Sequence, residues 1–277
     1  MSTDLGTLRT PHGDVPVTHR LALAVWPLDA LHQHPVTHGL RVGVERPGAR
    51  PRRSRPLQAS GGGVFLLPHG SGVPTTPGAR LPVRVTDPRG RYAPRRLDVP
   101  LWVLPEVRAA EEVPPTGDYI PALRRTVRPW LLPGPAYFLP RGVSGLRLRV
   151  LRQGRPVRWA RAEAFDAAGH RVAWGHGDEH GQVTLVVDDL APGTPATTKL
   201  AVRVHVPDPT STTEPTAEDP WADLPVETVP RPAAPPTFDD DVTLGVAVPP
   251  TYLTSTQDGV LDLRVGVLSP QHDLEFH

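Results

Sequence analysis

Proline is the feature that most constrains how this chain can fold. It occupies 37 of the 277 positions, and its ring fixes φ and removes a backbone N–H donor, which excludes long helices and long central strands. The apolar share of 38% is still large enough to supply a core. The sequence therefore predicts short elements punctuated by proline and turns, not a disordered chain.

The segments between the prolines carry the two-residue periodicity of half-buried strands. The pattern is clearest at 146–150, 200–206 and 261–267, where Leu or Val alternates with polar residues or glycine. This periodicity favours antiparallel strands with one buried face. Similar strand patterns occur at 21–26, 40–45, 64–67, 81–86, 97–103, 170–174, 182–188 and 242–248. Helix is expected only within 106–113 and 119–125, for at most two turns each.

The fold predicted from these patterns is all-β, with two tandem antiparallel β-sandwich domains. A Pro-rich bridge joins the domains, and a strand pair closes the chain. Because two strands cannot hold a core alone, the C-terminal pair must join a preceding domain or another protein. The predicted segments are an N-terminal arm (1–15), a first sandwich (16–105), a connector (106–136), a second sandwich (137–207), a linker or strap rich in Pro, Thr and acidic residues (208–241) and the strand pair (242–277).

Charge and cysteine content exclude several function classes. The formal net charge of +1 gives no general attraction for polyanions, so nucleic acid is not expected as a partner. The absence of cysteine excludes disulfides, thiolate nucleophiles and Cys-ligated metals. Neither a signal-peptide pattern nor a run of 18 apolar residues is present. We therefore expect a cytoplasmic protein without a membrane span.

One segment of the second predicted sandwich has a recognisable order of residues. It reads Gly154-x-Pro156-Val157-x-x-Ala160-x-Ala162, then Ala168-Gly169, then Asp178-x-x-Gly181-x-Val183-x-Leu185. Pro156 suits a strand entrance, and Gly181 suits the turn before an alternating strand. This order resembles the carboxypeptidase-regulatory-like family of transthyretin-like and Ig-like β-sandwiches, although Val183 stands where that family has an aromatic residue. Residues 16–105, with His34-Pro-Val36, look like a divergent copy.

A wider resemblance rests on two further motifs. They are Val85-Thr-Asp87-Pro-Arg-Gly90-Arg-Tyr92-Ala-Pro94 and Pro135-Ala-Tyr137-Phe-Leu-Pro140-Arg-Gly142. Together with the domain order, they are similar to small proteins encoded with phage-tail-like contractile injection systems. The resemblance implies a non-catalytic structural or adaptor protein at the cap end, or at another position, of a particle that is released by lysis. Its implied partners are tail sheath, tube or cap proteins, and no cofactor is implied.

The stretch 175–181 contains the candidate metal ligands His176, Asp178 and His180. Imidazole and carboxylate are ligands of zinc and other first-row metals. The same Gly- and Asp-rich stretch is sufficient to make a turn between two strands, and this is the interpretation we favour. HExxH, GxGxxG and Walker-type motifs are absent from the sequence. We predict no metal, no cofactor and no enzymatic activity.

Partner-binding candidates lie in a basic loop and in the Pro-rich connectors. The loop carries Arg50, Arg52, Arg53 and Arg55. A solvated loop, which we favour, an acidic protein partner or nucleic acid would each explain these arginines. The connectors carry Trp130 and Trp221, which are expected to anchor these segments to a sandwich or to a neighbour. Aromatic rings on a sandwich also stack on sugars, so a carbohydrate- or surface-binding module is the alternative function.

Overall fold

The computed structural model describes residues 7–12, 15–45, 54–70, 72–109, 112, 114–187, 190, 193–211, 213–255 and 259–277. The chain divides into two compact units, and each unit takes three separate segments of the sequence. Unit 1 comprises Met1–Val85, Arg95–Trp130 and Val226–Gly245. Unit 2 comprises Thr86–Pro94, Leu131–Pro225 and Val246–His277. The units therefore differ from the contiguous ranges that the proline pattern suggested.

The described chain is almost all β, as predicted. Its strands are β1 (Thr7–His12), β2 (Val15–Val25), β3 (Leu28–Asp29), β4 (Arg41–Glu45), β5 (Ser54–Pro56), β6 (Gln58–Ala59), β7 (Phe65–Pro68), β8 (Arg80–Thr86), β9 (Arg95–Pro100), β10 (Thr126–Val127), β11 (Trp130–Leu131), β12 (Ser144–Arg152), β13 (Arg155–Pro156), β14 (Arg161–Phe165), β15 (Arg171–His176), β16 (Gln182–Val187), β17 (Thr197–Pro207), β18 (Val226–Thr228), β19 (Tyr252–Thr254), β20 (Gly259–Arg264) and β21 (Leu268–Glu275).

Helix occurs in the described residues only in short pieces. These are α1 (Leu104–Ala109) and two 3₁₀ turns, Gly61–Gly63 and Ala122–Arg125. Two of the three fall within or beside the connector stretches where one or two turns were predicted.

Unit 1 contains two five-stranded sheets. One has the order β1-β2-β7-β6, with β10 parallel to β2, and the other has the order β18-β9-β8-β4-β5. The side chains buried in these sheets are mostly aliphatic and include Leu21, Leu23, Val25, Val42, Leu67, Leu81, Val83, Leu97 and Val99. Strand β18 comes from the segment 208–241, here called the strap, and pairs in parallel with β9. The strap thus contributes a strand to this unit.

Unit 2 is a β-sandwich with one continuous apolar core. One sheet has the order β13-β12-β16 with β21 parallel to β12, and the other has the order β15-β14-β17 with β19 and β20 on the far side of β17. The core takes side chains from both sheets, including Leu146, Leu148, Val150, Leu185, Leu200, Val202, Val206 and Leu263. Ala160, Ala162 and Ala164 are fully buried on β14 and before it. Their small side chains permit close packing of the sheets.

The turn that was predicted at Gly181 is present in the structure. Gly181 adopts a φ of 73°, and its backbone N–H donates to the carbonyl of Asp178 at 3.2 Å, which closes the turn before β16. Alternation in β12 is also confirmed, since Leu146, Leu148 and Val150 are buried while Arg147 is exposed.

One strand prediction near the C-terminus is wrong, and a second is confirmed only in part. Residues 242–248 form turns and irregular chain, because the Asp240 carboxylate accepts hydrogen bonds from the backbone and hydroxyl of Thr243 and Gly245 turns with a φ of 74°. The alternation at 261–267 stops at Arg264, because Gly266 adopts a φ of 76° and starts a turn. Local hydrogen bonds and glycine conformation override the apolar period at both places.

The segment 242–277 joins the preceding sandwich, which is one of the two predicted outcomes, but it does so with three strands, β19, β20 and β21, instead of a pair. The last two enter different sheets of unit 2, with β20 antiparallel to β17 and β21 parallel to β12. The residues between them, 265–267, cross from one sheet to the other. This crossing brings exposed Val265 and Val267 to one end of the sandwich.

Candidate functional site

The basic loop lies largely outside the described residues. This applies to Arg50, Arg52 and Arg53. Arg55 is described: it is exposed on β5, opposite Val44 of β4. The loop therefore remains a sequence-based prediction.

Trp130 lies within unit 1, where its backbone is held at two points. Its N–H donates to the carbonyl of Thr243 at 2.9 Å, and its carbonyl accepts from Nη1 of Arg95 at 2.9 Å. Its side chain is partly buried. The backbone at the end of the connector is thus hydrogen-bonded within unit 1.

The three candidate metal ligands occupy different environments on one turn of unit 2. His176 is buried at the end of β15, Asp178 is buried in the turn and His180 is exposed. Oδ1 of Asp178 accepts hydrogen bonds from the backbone N–H groups of His180 at 2.8 Å and Gln182 at 2.9 Å. Within the described part of the chain, no three His, Asp or Glu side chains are grouped to hold a metal ion.

Asp178 has an unusual electrostatic setting. Burial raises the pKa of its carboxyl above the ordinary value, although the hydrogen bonds from Gln182 and His180 act in the opposite direction. Because both hydrogen bonds fall on Oδ1, its Oδ2 accepts none from the described residues. A carboxylate that keeps one oxygen available at a cavity wall can accept a hydrogen bond from a ligand.

Asp178, His180 and Trp221 meet at one cavity of about 400 Å³, which we call the Trp221 cavity. Its lining includes Asp87 and six further polar or aromatic residues, namely Arg89, Tyr92, Asp178, Glu179, His180 and Trp221. All six belong to unit 2. Arg89, Tyr92 and Glu179 were not predicted as site residues. The Asp87–Pro94 motif and the Asp178–Gly181 turn had each been noticed, but their proximity depends on the fold.

The strap segment that carries Trp221 is fixed to the sandwich by several contacts. The Trp221 ring makes an edge-to-face contact with Trp159, with 6.5 Å between the centroids. Arg158 forms an ion pair with Asp223 (Nε–Oδ2, 2.5 Å) and donates to the carbonyl of Pro220 at 2.6 Å. Trp221 therefore lines the cavity from a segment that is held by these contacts.

A second surface lies at the end of unit 2 where β20 turns into β21. A groove of about 440 Å³ there is bordered by Phe138, Val143, Val267 and Leu268 and by the arginines 141 and 147. We call it the Phe138 surface. Phe138 is 86% exposed and Val267 is 48% exposed. Large apolar side chains exposed side by side are typical of an interaction site.

Ring packing and hydrogen bonds hold the residues around the Phe138 surface. Tyr137, the neighbour of Phe138, packs edge-to-face on Tyr92 with 5.5 Å between the centroids. The carbonyl of Val267 accepts from the N–H of Gly145 at 3.2 Å, and the N–H of Gly266 donates to Oγ of Ser144 at 2.9 Å. Exposure of Phe138 is therefore set by an ordered backbone.

The charged side chains at the Phe138 surface are both basic. Arg141 and Arg147 are both exposed, and neither forms an ion pair with a described residue. None of the described residues that line the groove is acidic. An apolar centre with a basic rim complements a partner that presents an apolar side chain beside carboxylates.

Strand β21 places an open sheet edge next to this surface. Its residues pair with β12 on one side, and no described strand pairs with its other side. Pro270 lacks an N–H and breaks the edge near its start, which leaves 271–275 as the continuous part. Phe138 and Val267 were not predicted as site residues, although Phe138 lies inside the motif at 135–142. The exposure of these side chains depends on how distant strands pack, which the local sequence does not show.

Comparison with known proteins assigns no family. No family model matches the chain, and no curated protein matches it. Among solved structures, the chain is similar to the TIE protein of Bacillus anthracis, with 9% identity and a TM-score of 0.26, over 97% of this chain and 40% of that one. It is also similar to the shaft pilin SpaA of Lactobacillus rhamnosus GG, with 11% identity and a TM-score of 0.21, over 75% of this chain and 95% of that one.

The chain thus spans about 40% of the length of the TIE structure. Separately, a search of the described residues for a helix with the length and apolar character to cross a membrane finds none.

Proposed function

We propose that this protein is a non-catalytic structural or adaptor component of a phage-tail-like contractile injection particle, at the cap end or at another assembly position. Its partners are then other subunits of a symmetric assembly, such as sheath, tube or cap proteins. The observation that carries the proposal is the Phe138 surface beside the open edge of β21. The two motifs at 85–94 and 135–142 and the predicted domain order, on which the sequence resemblance rests, support the same function.

The Phe138 surface supplies the energy that a protein contact needs. Fully burying a phenylalanine side chain contributes about 1.5–3 kcal/mol relative to leaving it in water. Phe138 at 86% exposure retains most of that gain for a partner, and Val267 adds to it. Arg141 and Arg147 add a charge preference that selects an acidic rim.

The open edge of β21 would set the direction and the register of a partner strand. An open strand accepts a partner strand through backbone hydrogen bonds, which is a common way for non-catalytic β-domains to assemble. Ring symmetry would repeat one such modest contact many times, so strong binding by a single copy is not required.

Deletion and complementation in the native cell tests this proposal. Removal of the encoding gene should abolish or shorten the particles seen by negative-stain electron microscopy, and the intact chain should restore them. The Phe138→Asp variant should fail to restore them. Tyr119→Asp is a matched control, because Tyr119 is also exposed (67%) but belongs to unit 1 and does not line the Phe138 surface. Normal particles in the deletion strain would contradict the proposal.

A further inference from the structure

We propose that the Trp221 cavity binds a neutral sugar ring. The site lies within unit 2 and shares none of its lining residues with the Phe138 surface. The inference does not depend on the proposed assembly function, and either can fail without the other.

The size of the cavity fits a small ligand. Small-molecule sites typically span about 300–1,000 Å³ and combine apolar walls with a few polar groups. The Trp221 cavity measures about 400 Å³ and has both kinds of wall. This volume suits one or two sugar rings better than a large cofactor.

The aromatic walls are held in place before any ligand arrives. Trp221 rests against Trp159 with an interplanar angle of 87°, and Tyr92 rests against Tyr137 with an angle of 68°. Aromatic rings offer broad apolar area with little conformational entropy to lose. The C–H groups of a sugar ring are the part of that molecule which packs on such a surface.

The polar groups of the cavity are available to a ligand. The side chains of Arg89, Glu179 and His180 make no hydrogen bond or ion pair with the described residues, and Oδ2 of Asp178 accepts none. By contrast, both carboxylate oxygens of Asp87 have partners within unit 2. Its Oδ1 accepts from the N–H of Arg89 at 3.0 Å, and its Oδ2 pairs with Nε of Arg91 at 2.7 Å. The available set therefore contains both donors and acceptors.

The cavity carries charges of both signs, which is compatible with a neutral ligand. Arg89 disfavours a cation at the cavity, while Asp178 and Glu179 disfavour an anion. Hydroxyl groups donate and accept, so a polyhydroxylated neutral molecule satisfies all of these side chains at once.

Saturation-transfer NMR on the full chain tests the assignment. The probes are glucose, galactose, N-acetylglucosamine and their β-linked oligomers, with glucuronate and glucosamine as charged counterparts. At least one neutral sugar should receive saturation at its ring C–H protons and should bind in calorimetry. Glu179→Gln and Arg89→Ala should each weaken that binding at least about tenfold, which corresponds to about 1.4 kcal/mol.

Two control variants distinguish the loss of a cavity contact from a general effect of substitution. Glu214→Gln and Arg155→Ala change exposed residues of unit 2 outside the cavity and should leave binding unchanged. Near-ultraviolet circular dichroism confirms that each variant is folded. The assignment is overturned if no neutral sugar binds, if only a charged sugar binds, or if the cavity variants bind as well as the two controls.

Discussion

Arg95 and Glu227, 132 positions apart in the sequence, form a buried two-point ion pair inside unit 1. Nε of Arg95 lies 3.0 Å from Oε1 of Glu227, and Nη2 lies 2.7 Å from Oε2. The Arg95 side chain is 0% exposed, and its Nη1 also donates to the carbonyls of Trp130 and Thr243 at 2.9 Å. The pair joins β9 to the strap strand β18 where the two strands run side by side.

Removing the carboxylate of this pair should destabilise unit 1 strongly. Glu227→Ala leaves the Arg95 guanidinium buried without its counter-ion, and breaking a buried pair in this way costs about 3–5 kcal/mol. Urea denaturation followed by tryptophan fluorescence measures the change. Asp273→Ala is the control, since it breaks the solvent-exposed pair with Arg149 and should leave the free energy of unfolding nearly unchanged. Equal effects of the two changes would contradict this account of the strap.

The turn at Gly181 should tolerate substitution less well than the turn at Gly154. Both residues have positive φ, 73° and 72°, so an alanine costs about 1–2 kcal/mol from backbone strain at either position. A Cβ on Gly181 would also meet the backbone oxygens of Val150 at 2.8 Å and Val157 at 2.9 Å, while a Cβ on Gly154 meets no atom within 4 Å.

Gly181→Ala should therefore lose a further amount of about 1–3 kcal/mol relative to Gly154→Ala, which is the typical cost of overpacking. Thermal unfolding of the two variants side by side measures the difference. If both variants melt at the same temperature, the close approach at Gly181 is not a constraint on unit 2.

The stability of unit 1 should fall as the pH drops from about 6.5 to about 4. Burial, and then the charges of Arg125, Arg108 and Arg20, lower the pKa of His69 from 6.5 to about 4. Between these values the unfolded chain binds a proton that the folded chain does not, so unfolding is favoured by acid. For one proton the slope is at most about 1.4 kcal/mol per pH unit, and partial solvent access reduces it.

His69→Gln should flatten this part of the stability–pH curve. Denaturation midpoints measured at intervals between pH 7 and pH 4 give the comparison, with the exposed His34→Gln as control. The same acid dependence in His69→Gln as in the parent chain would assign the effect to other groups.

Much of the fold follows from local properties of the sequence. The period of two at 146–150 places Leu148 inside and Arg147 outside, because alternate side chains of a strand face opposite ways. The Gly181 turn follows in the same way, because only a residue that accepts positive φ fits there. These features need no knowledge of distant residues.

Other features depend on contacts between distant parts of the chain. The pairing of Arg95 with Glu227, and of β21 in parallel with β12, leaves no periodic signal. Apolar alternation at 242–248 predicted a strand, but the Asp240 turn competes successfully for the backbone. The Trp221 cavity joins two motifs that are about ninety positions apart, and the exposure of Phe138 is a property of the tertiary structure.

Photo-crosslinking from position 138 in purified particles tests the assembly function most directly. With p-benzoylphenylalanine in place of Phe138, the account predicts a covalent adduct to a particle subunit that runs as one discrete band and is identified by mass spectrometry. The same probe in place of the exposed Tyr119 of unit 1 should give no such band. Absence of the protein from purified particles, or equal labelling from both positions, would contradict the account.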